Sequence, residues 1–174
     1  MLRKNKIYPI VLLTIVILVS AVLLNLTNSF TEEKILAQQN EQMASQLRVI
    51  FPNMTDSTFV NDIFIVNANS ERIGYAFLAE GTGYRGTISI LVGLAKDTTI
   101  KGISIVSQSE TAGLGSKITQ PSFTDEFVGK QINDIMLTQD GGQIDAISGA
   151  TISSRAVVEA VRTTALEKIK MLPD

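Results

Sequence analysis

The chain has 174 residues, with 15 basic and 17 acidic side chains, no Cys and no His. Without thiol or imidazole groups it cannot form disulfides, iron–sulfur sites or the usual zinc sites, nor the Ser-His-Asp and Cys-His arrangements of nucleophilic catalysis. We therefore expect no catalytic residue and no metal site, and any redox activity must reside on a bound cofactor. Since Arg3, Lys4 and Lys6 precede the first apolar segment, the remainder is acidic without basic clusters, which argues against nucleic-acid binding.

Residues 7–26 contain no charged side chain and are mostly apolar. A helix of this length rises by ~1.5 Å per residue and spans the ~30 Å hydrocarbon core of a membrane. The basic residues before it, with Glu32 and Glu33 after it, place the N-terminus in the cytoplasm. A cleaved signal peptide is the alternative, but no convincing small-residue cleavage site follows. The sequence thus predicts a cytoplasmic tail (1–6), one transmembrane helix (7–26) in the cell (inner) membrane, and an extracytoplasmic remainder.

A second helix is predicted over residues 31–50, where Leu36, Met43, Leu47 and Ile50 lie along one face. The dipeptide Phe51-Pro52 ends it, because proline restricts the residue before it to extended conformations. We expect this linker segment (27–52) to pack on the domain that follows (53–174). A stalk that pairs with a helix of another protein is the alternative.

Short apolar or alternating stretches bounded by turn residues predict strands over 59–66, 73–79, 87–94, 99–106, 135–138 and 144–147. The last segment, from Ile152, has helical spacing, with Val158, Val161 and Ala165 on one face. Phe123 and Phe127, between the predicted strands 99–106 and 135–138, are expected in the core. The predicted fold is α+β, an antiparallel sheet packed by helices.

The stretch from Asp145 to Ser154 joins the last predicted strand to the last helix. Its small residues leave backbone N–H groups free at the positive end of the helix dipole, a geometry that suits a phosphate group. Composition alone fits an ordinary helix start equally well, since Ser and Thr are common N-caps and Gly is a common turn residue. Arg155, in the first turn, either neutralises a phosphate or pairs with Glu159.

The pattern D-x-x-S-G-A-T at residues 145–151 resembles the flavinylation motif of the FMN-binding domain family. This family includes the G subunit of the Rnf complex and the C subunit of the sodium-pumping NADH:quinone reductase. In that family a flavin transferase that uses FAD esterifies the last Thr to the phosphate of FMN. The resemblance implies that Thr151 is the acceptor and Asp145 the leading acid, while Ser148, Gly149 and Ala150 shape the turn.

A second glycine-rich stretch, residues 109–117, resembles the E-T-P-G-L-G segment in the wall of the family's flavin site, with Ala112 where proline is usual. Alternating glycines permit positive φ and close approach of a ligand to the backbone. A flexible surface loop fits the composition as well. The resemblance implies flavin contacts from Glu110, Thr111, Gly113, Leu114 and Gly115, with Lys117 beside them.

Residues 81–86 spell G-T-G-Y-R-G but lie between predicted strands and open no helix, so they are not a dinucleotide-binding motif. The segment is similar to the family's G-Y-x-G, which leads into a strand. We expect Tyr84 to be a packing residue and not a flavin contact.

The resemblance implies a membrane-anchored carrier of covalent FMN, an electron-transfer subunit without a catalytic site of its own. It would relay electrons in an Rnf-type complex that couples ferredoxin:NAD electron transfer to ion translocation, with membrane and Fe–S subunits as partners and a flavin transferase for maturation. The alternatives are a stand-alone covalent-FMN protein of extracellular electron transfer, a protein like the C subunit of the quinone reductase, and a non-redox binding or scaffold module of the same fold.

Overall fold

A computed structural model describes residues 8–69 and 71–172 of the chain. For residues 8 and 24–40 it describes the backbone only. The chain divides into two compact units between residues 42 and 43. The first element is helix α1 (Tyr8–Ile50). Among the described residues, no helix is both long enough and apolar enough to cross a membrane. The predicted tail and the start of the predicted transmembrane helix lie outside the described residues, and the 7–26 anchor stays a prediction.

The last turns of α1 belong to the second unit and pack there. As predicted, α1 ends at Ile50, directly before Phe51-Pro52. Leu47 and Ile50 are buried and Met43 packs against the same cluster, which confirms the predicted apolar face at these three positions. Leu36 is among the residues whose side chains are not described, and the 27–52 and 53–174 boundaries stay predictions.

The second unit contains a five-stranded antiparallel sheet whose strands follow one another in chain order. Its strands are β1 (Asp56–Val60), β2 (Ile63–Ala68), β3 (Glu71–Thr82), β4 (Thr87–Ala95) and β5 (Ile100–Ser107). The antiparallel sheet is confirmed, but the single strand predicted over 59–66 is wrong. Asn61 and Asp62 have φ of 51° and 61° and form a two-residue turn between β1 and β2, a conformation that both residue types tolerate.

Helix α3 (Thr151–Ile169) packs on one face of the sheet, against β3 and β4. Val157 and Val161 of α3 share a core with Phe77 of β3 and Ile90 of β4. The predicted packing of the last helix across the sheet is therefore confirmed. On the opposite face, Phe51 and Ile50 pack against backbone positions of β3, β4 and β5 that carry glycine.

Between β5 and α3 the described chain forms short helical turns and loops. They are α2 (Pro121–Thr124) and the 3-10 helices Gly115–Thr119, Asp125–Phe127, Ile132–Asp134 and Thr138–Asp140. Phe123 and Phe127 are buried with ring centroids 5.5 Å apart, as predicted for the core.

The strands predicted at 135–138 and 144–147 are wrong. Residues 138–140 are helical, and Leu137 and Ile144 form an isolated parallel bridge outside the five-stranded sheet. Ile135, Leu137 and Ile144 are buried and insert into the core from loops. A short apolar stretch does not distinguish a loop anchored by apolar side chains from a strand.

Candidate functional site

The first turn of α3 begins at Thr151, with Ala150 at the N-cap (φ −137°, ψ 34°). No described side chain caps it, and the first turn contains no acidic residue. Gly149, at φ 77°, turns the chain into the helix. Buried Ser154 fixes this turn, since its hydroxyl accepts a hydrogen bond from the Ile147 N–H (3.0 Å) and donates one to the Ala150 carbonyl (3.1 Å). The first N–H groups of α3 are therefore held in place and left without a side-chain cap.

A cavity of about 600 Å³ opens in front of this helix start. This volume is typical of a cleft for a cofactor-sized ligand. The Thr151 side chain is exposed, and its hydroxyl makes no hydrogen bond to a described residue. Three segments line the cavity: the β3–β4 turn (Tyr84), the glycine loop (Glu110, Thr111, Leu114, Gly115) and the start of α3 (Gly149, Ala150, Thr151, Ile152, Ser153).

The cavity walls are largely apolar. Tyr84, Leu114 and Ile152 are 68%, 45% and 56% exposed, one from each lining segment. Gly149 lies against Leu114, because a Cβ added to this glycine would be 3.4 Å from the Leu114 Cδ2 atom. Apolar walls next to free helix N–H groups and a free hydroxyl suit a ligand with a flat aromatic part and an anionic end.

Behind the cavity, the buried carboxylate of Glu110 accepts hydrogen bonds from two segments. The backbone N–H groups of Tyr84 and Arg85 donate to its Oε2 and Oε1 atoms at 3.1 and 2.9 Å. The Ser153 hydroxyl also donates to Oε2. We call Tyr84, Arg85, Glu110 and Ser153 the Glu110 cluster. Burial raises the pKa of the Glu110 carboxyl, but hydrogen bonds from Ser153 and from backbone N–H groups of Arg85, Tyr84 and Gly86 outweigh burial and hold the pKa below its ordinary value.

Most residues predicted for the site come together at this cavity. They are Glu110, Thr111, Leu114, Gly115, Gly149, Ala150 and Thr151. Four predicted residues do not line it. Asp145 is exposed, accepts a hydrogen bond from the Thr138 hydroxyl (2.9 Å) and donates its N–H to Glu126 (2.6 Å). Ser148 and Lys117 are not among the lining residues. Gly113, at φ 74°, is exposed, and a Cβ there would meet nothing within 4 Å.

Three lining residues were missed or misassigned from the sequence. Tyr84 was expected to be a packing residue, but its side chain is exposed at the cavity. Ile152 and Ser153 directly follow Thr151, so the position of the helix start is the signal that indicates them. Arg155 points elsewhere: it pairs with Asp140 at 2.6 Å, with Glu159 at 4.0 Å, and lines a separate, smaller cavity.

Comparison with known proteins identifies similar proteins by sequence and by fold. A family model described as an FMN-binding domain matches residues 83–165. The G subunit of the ion-translocating oxidoreductase complex of Methanosarcina acetivorans is 36% identical over 168 residues, covering 88% of this chain and 89% of the relative. The protein of the same name from Aliivibrio fischeri is 31% identical over 183 residues, covering 87% of each.

Two solved structures share the fold. The C subunit of the Na(+)-translocating NADH-quinone reductase of Parabacteroides distasonis has a TM-score of 0.59 at 23% identity, covering 80% of this chain and 97% of that chain. NqrC of Shewanella oneidensis has a TM-score of 0.51 at 23% identity, covering 70% and 73%. At this identity the likeness establishes an α+β fold with an antiparallel sheet.

Proposed function

Since the chain belongs to the family of the G subunits of the ion-translocating oxidoreductase complex, we propose that it is a flavoprotein component of such a complex, in which the cavity beside Thr151 holds FMN. The observation that carries the proposal is the meeting of three separate segments at one cavity that ends at an uncapped helix start and a free hydroxyl. The family model spans all three of these segments.

The residues present fit this group. The N–H groups at the start of α3 and the positive end of its dipole favour a phosphate. Leu114, Ile152 and Tyr84 offer apolar surface to an aromatic ring system. Gly115 and Gly149 keep the backbone of two cavity walls free of side chains.

The attachment we propose is a phosphoester through the Thr151 hydroxyl. In this step the Thr151 oxygen loses its proton and forms a bond to the phosphorus of the FMN part of FAD, and the bond from that phosphorus to AMP breaks. We propose that a separate flavin transferase catalyses the step, as the resemblance to the FMN-binding domain family implies. Ser154 fixes the turn so that the acceptor residue is presented at the helix start.

The function that follows is electron relay. When bound, FMN takes up and releases one or two electrons, chemistry that a chain without Cys or His cannot supply itself. The chain contributes a fixed position, apolar walls and a covalent attachment that prevents loss of the cofactor. We propose that the electron donors and acceptors are membrane and Fe–S subunits of an Rnf-type complex that couples ferredoxin:NAD electron transfer to ion translocation.

We also propose that residues 7–26 anchor the protein as a single transmembrane helix with a cytoplasmic N-terminus. Apolar side chains between Ile10 and Leu23 are exposed on all sides of α1, as expected for a helix surrounded by lipid. Arg3, Lys4 and Lys6 precede this run. A reporter that is active only outside the cytoplasm should work when fused after residue 174. Activity of a cytoplasm-only reporter at that position would contradict this topology.

Intact mass of the full-length chain, co-expressed with a flavin transferase, tests the proposed attachment. We expect a gain equal to FMN less one water, which fragmentation of the tryptic peptide 131–155 places on Thr151. Thr151→Ala should lose the gain and the in-gel flavin fluorescence while circular dichroism shows a folded chain. The matched control is Thr163→Ala, an exposed threonine of the same helix that does not line the cavity. Fluorescence of Thr151→Ala at wild-type strength, or a wild-type chain without flavin, would overturn the proposal.

A further inference from the structure

Glu110 has a different role from the other polar residues of the cavity. It is 7% exposed, and both of its carboxylate oxygens are occupied by donors from within the protein. An ionised carboxylate accepts hydrogen bonds and cannot donate them. The depressed pKa of Glu110 keeps it in that form at neutral pH. Three hydrogen-bond donors of the cavity wall are thus bound by this one carboxylate.

The three lining segments of the cavity converge on this carboxylate. Tyr84 and Arg85 belong to the β3–β4 turn, Glu110 begins the glycine loop, and Ser153 lies in the first turn of α3. Ser153 is 43 positions away from Glu110 along the chain, and Tyr84 is 26 positions away. The Glu110 side chain therefore links the three segments that line the cavity.

The helix start depends on this contact as well. Helices are usually stabilised at their beginning by an N-cap side chain and by an acid in the first turn. Here Ala150 occupies the N-cap, and the first turn contains no acid. Glu110 brings a negative charge to Ser153, the third residue of α3, from a distant loop. It thereby provides from outside the helix the favourable charge that the local sequence lacks.

We propose that Glu110 is the positioning residue of the cavity: its carboxylate fixes the β3–β4 turn, the glycine loop and the first turn of α3 relative to one another, and it does not itself bind the ligand. The Glu110 cluster thus sets the distance between the apolar walls and the Thr151 hydroxyl. The part of this inference that concerns the flavin rests on the function proposed above, whereas the part that concerns the three segments does not.

Amide hydrogen exchange on the flavin-free full-length chain tests the first part. Glu110→Gln keeps the shape of the side chain but removes the charge that the three donors share. In Glu110→Gln we expect the Tyr84 and Arg85 amides to exchange at least about tenfold faster, because hydrogen bonds to charged groups are stronger than those to neutral groups. Ser153→Ala should accelerate exchange in the first turn of α3. Glu80→Gln, an exposed acid of the neighbouring strand β3, is the matched control and should change neither region.

The flavin-loaded full-length chain tests the second part. If Glu110 positions the cavity, Glu110→Gln and Ser153→Ala should both shift the flavin absorption spectrum and midpoint potential in the same direction, with Glu80→Gln unchanged. Unchanged amide exchange together with a flavin shift in Glu110→Gln alone would indicate direct binding of flavin by Glu110 and overturn the proposal. Faster exchange without any flavin shift would reduce Glu110 to a purely structural role, which also overturns it. Should the wild-type chain carry no flavin, the proposed function fails, while hydrogen exchange still decides whether Glu110 fixes the three segments.

Discussion

Gly115→Ala is expected to damage the cavity far more than Gly113→Ala, although the two glycines are two residues apart in the same loop. A Cβ at Gly115 would lie 2.7 Å from the Ser153 Oγ atom and 2.9 Å from the Glu110 Cβ and Oε2 atoms. At Gly113 a Cβ would meet nothing within 4 Å, but φ is 74°. The first change therefore inserts a methyl group into the Glu110 cluster, while the second strains the backbone in open space.

The magnitudes follow from these contacts. Overpacking of a buried site costs about 1–3 kcal/mol, and weakening the hydrogen bond from Ser153 to an ionised carboxylate costs about 1.5–3 kcal/mol. Partial relaxation leaves a loss of about 3 kcal/mol for Gly115→Ala in the free energy of unfolding. For Gly113→Ala the left-handed backbone conformation alone costs about 1 kcal/mol. The difference of about 2 kcal/mol corresponds to a melting temperature about 6–10 °C lower for Gly115→Ala in a domain of this size.

Thermal unfolding of the two flavin-free variants, followed by circular dichroism, measures this difference. Hydrogen exchange shows where it arises: peptides with Tyr84 and with Ser153 should exchange faster in Gly115→Ala and at the wild-type rate in Gly113→Ala. Equal melting temperatures for the two variants, or wild-type exchange at both peptides in Gly115→Ala, would refute the tight packing of the loop against α3.

Two further predictions concern the sheet and pH. Gly74→Ala should lower the free energy of unfolding by about 1–3 kcal/mol, because its Cβ would lie 2.3 Å from the Leu94 carbonyl oxygen and 2.7 Å from the Phe51 Cε1 atom. Gly102→Ala is the control: a Cβ there would lie 3.5 Å from the nearest Ile50 atom, and the melting temperature should stay nearly unchanged. Because the pKa of Glu110 is lower in the folded than in the unfolded chain, its stabilising contribution is present above the unfolded value near 4.5 and is lost as pH falls through the folded value. The stability difference between wild type and Glu110→Gln should thus be constant above about pH 5.5 and shrink on acidification; a difference that grows at low pH would contradict the assigned direction.

The sequence predicts those parts of the fold that depend on local patterns. The start of α3 and its buried face follow from the spacing after Thr151. The positions of β4 and β5 follow from alternation between clear turn residues. The β1–β2 hairpin was not predicted, although Asn61 and Asp62 interrupt the apolar run and tolerate positive φ. Two polar residues alone do not show whether a strand continues or turns back.

The interior of the site depends on contacts that no local pattern contains. Glu110 and Ser153 are separated by 43 positions and meet only because α3 crosses β3 and β4. The local sequence shows Ser153 only as a residue that follows Thr151, and Glu110 only as one polar residue of a glycine-rich loop. In the same way, Asp145 stands first in the motif but lies beside Thr138 and Glu126, outside the cavity lining.

The geometry of the cavity is fixed by backbone proximity more than by large side chains. A Cβ at Gly81 would lie 2.5 Å from the Ala156 carbonyl oxygen of α3, and one at Gly83 would lie 2.5 Å from the Glu110 Oε1 atom. Gly115 likewise lies against Ser153. Because these three glycines carry no side chain, the β3–β4 turn, the glycine loop and α3 come within hydrogen-bonding distance of the Glu110 carboxylate. Since close packing transmits displacements between neighbours, a single methyl group at these positions should move the apolar walls relative to the Thr151 hydroxyl. Substitutions of the exposed wall residues Leu114 and Ile152, by contrast, should change the contacts available to a ligand while leaving the three segments in place.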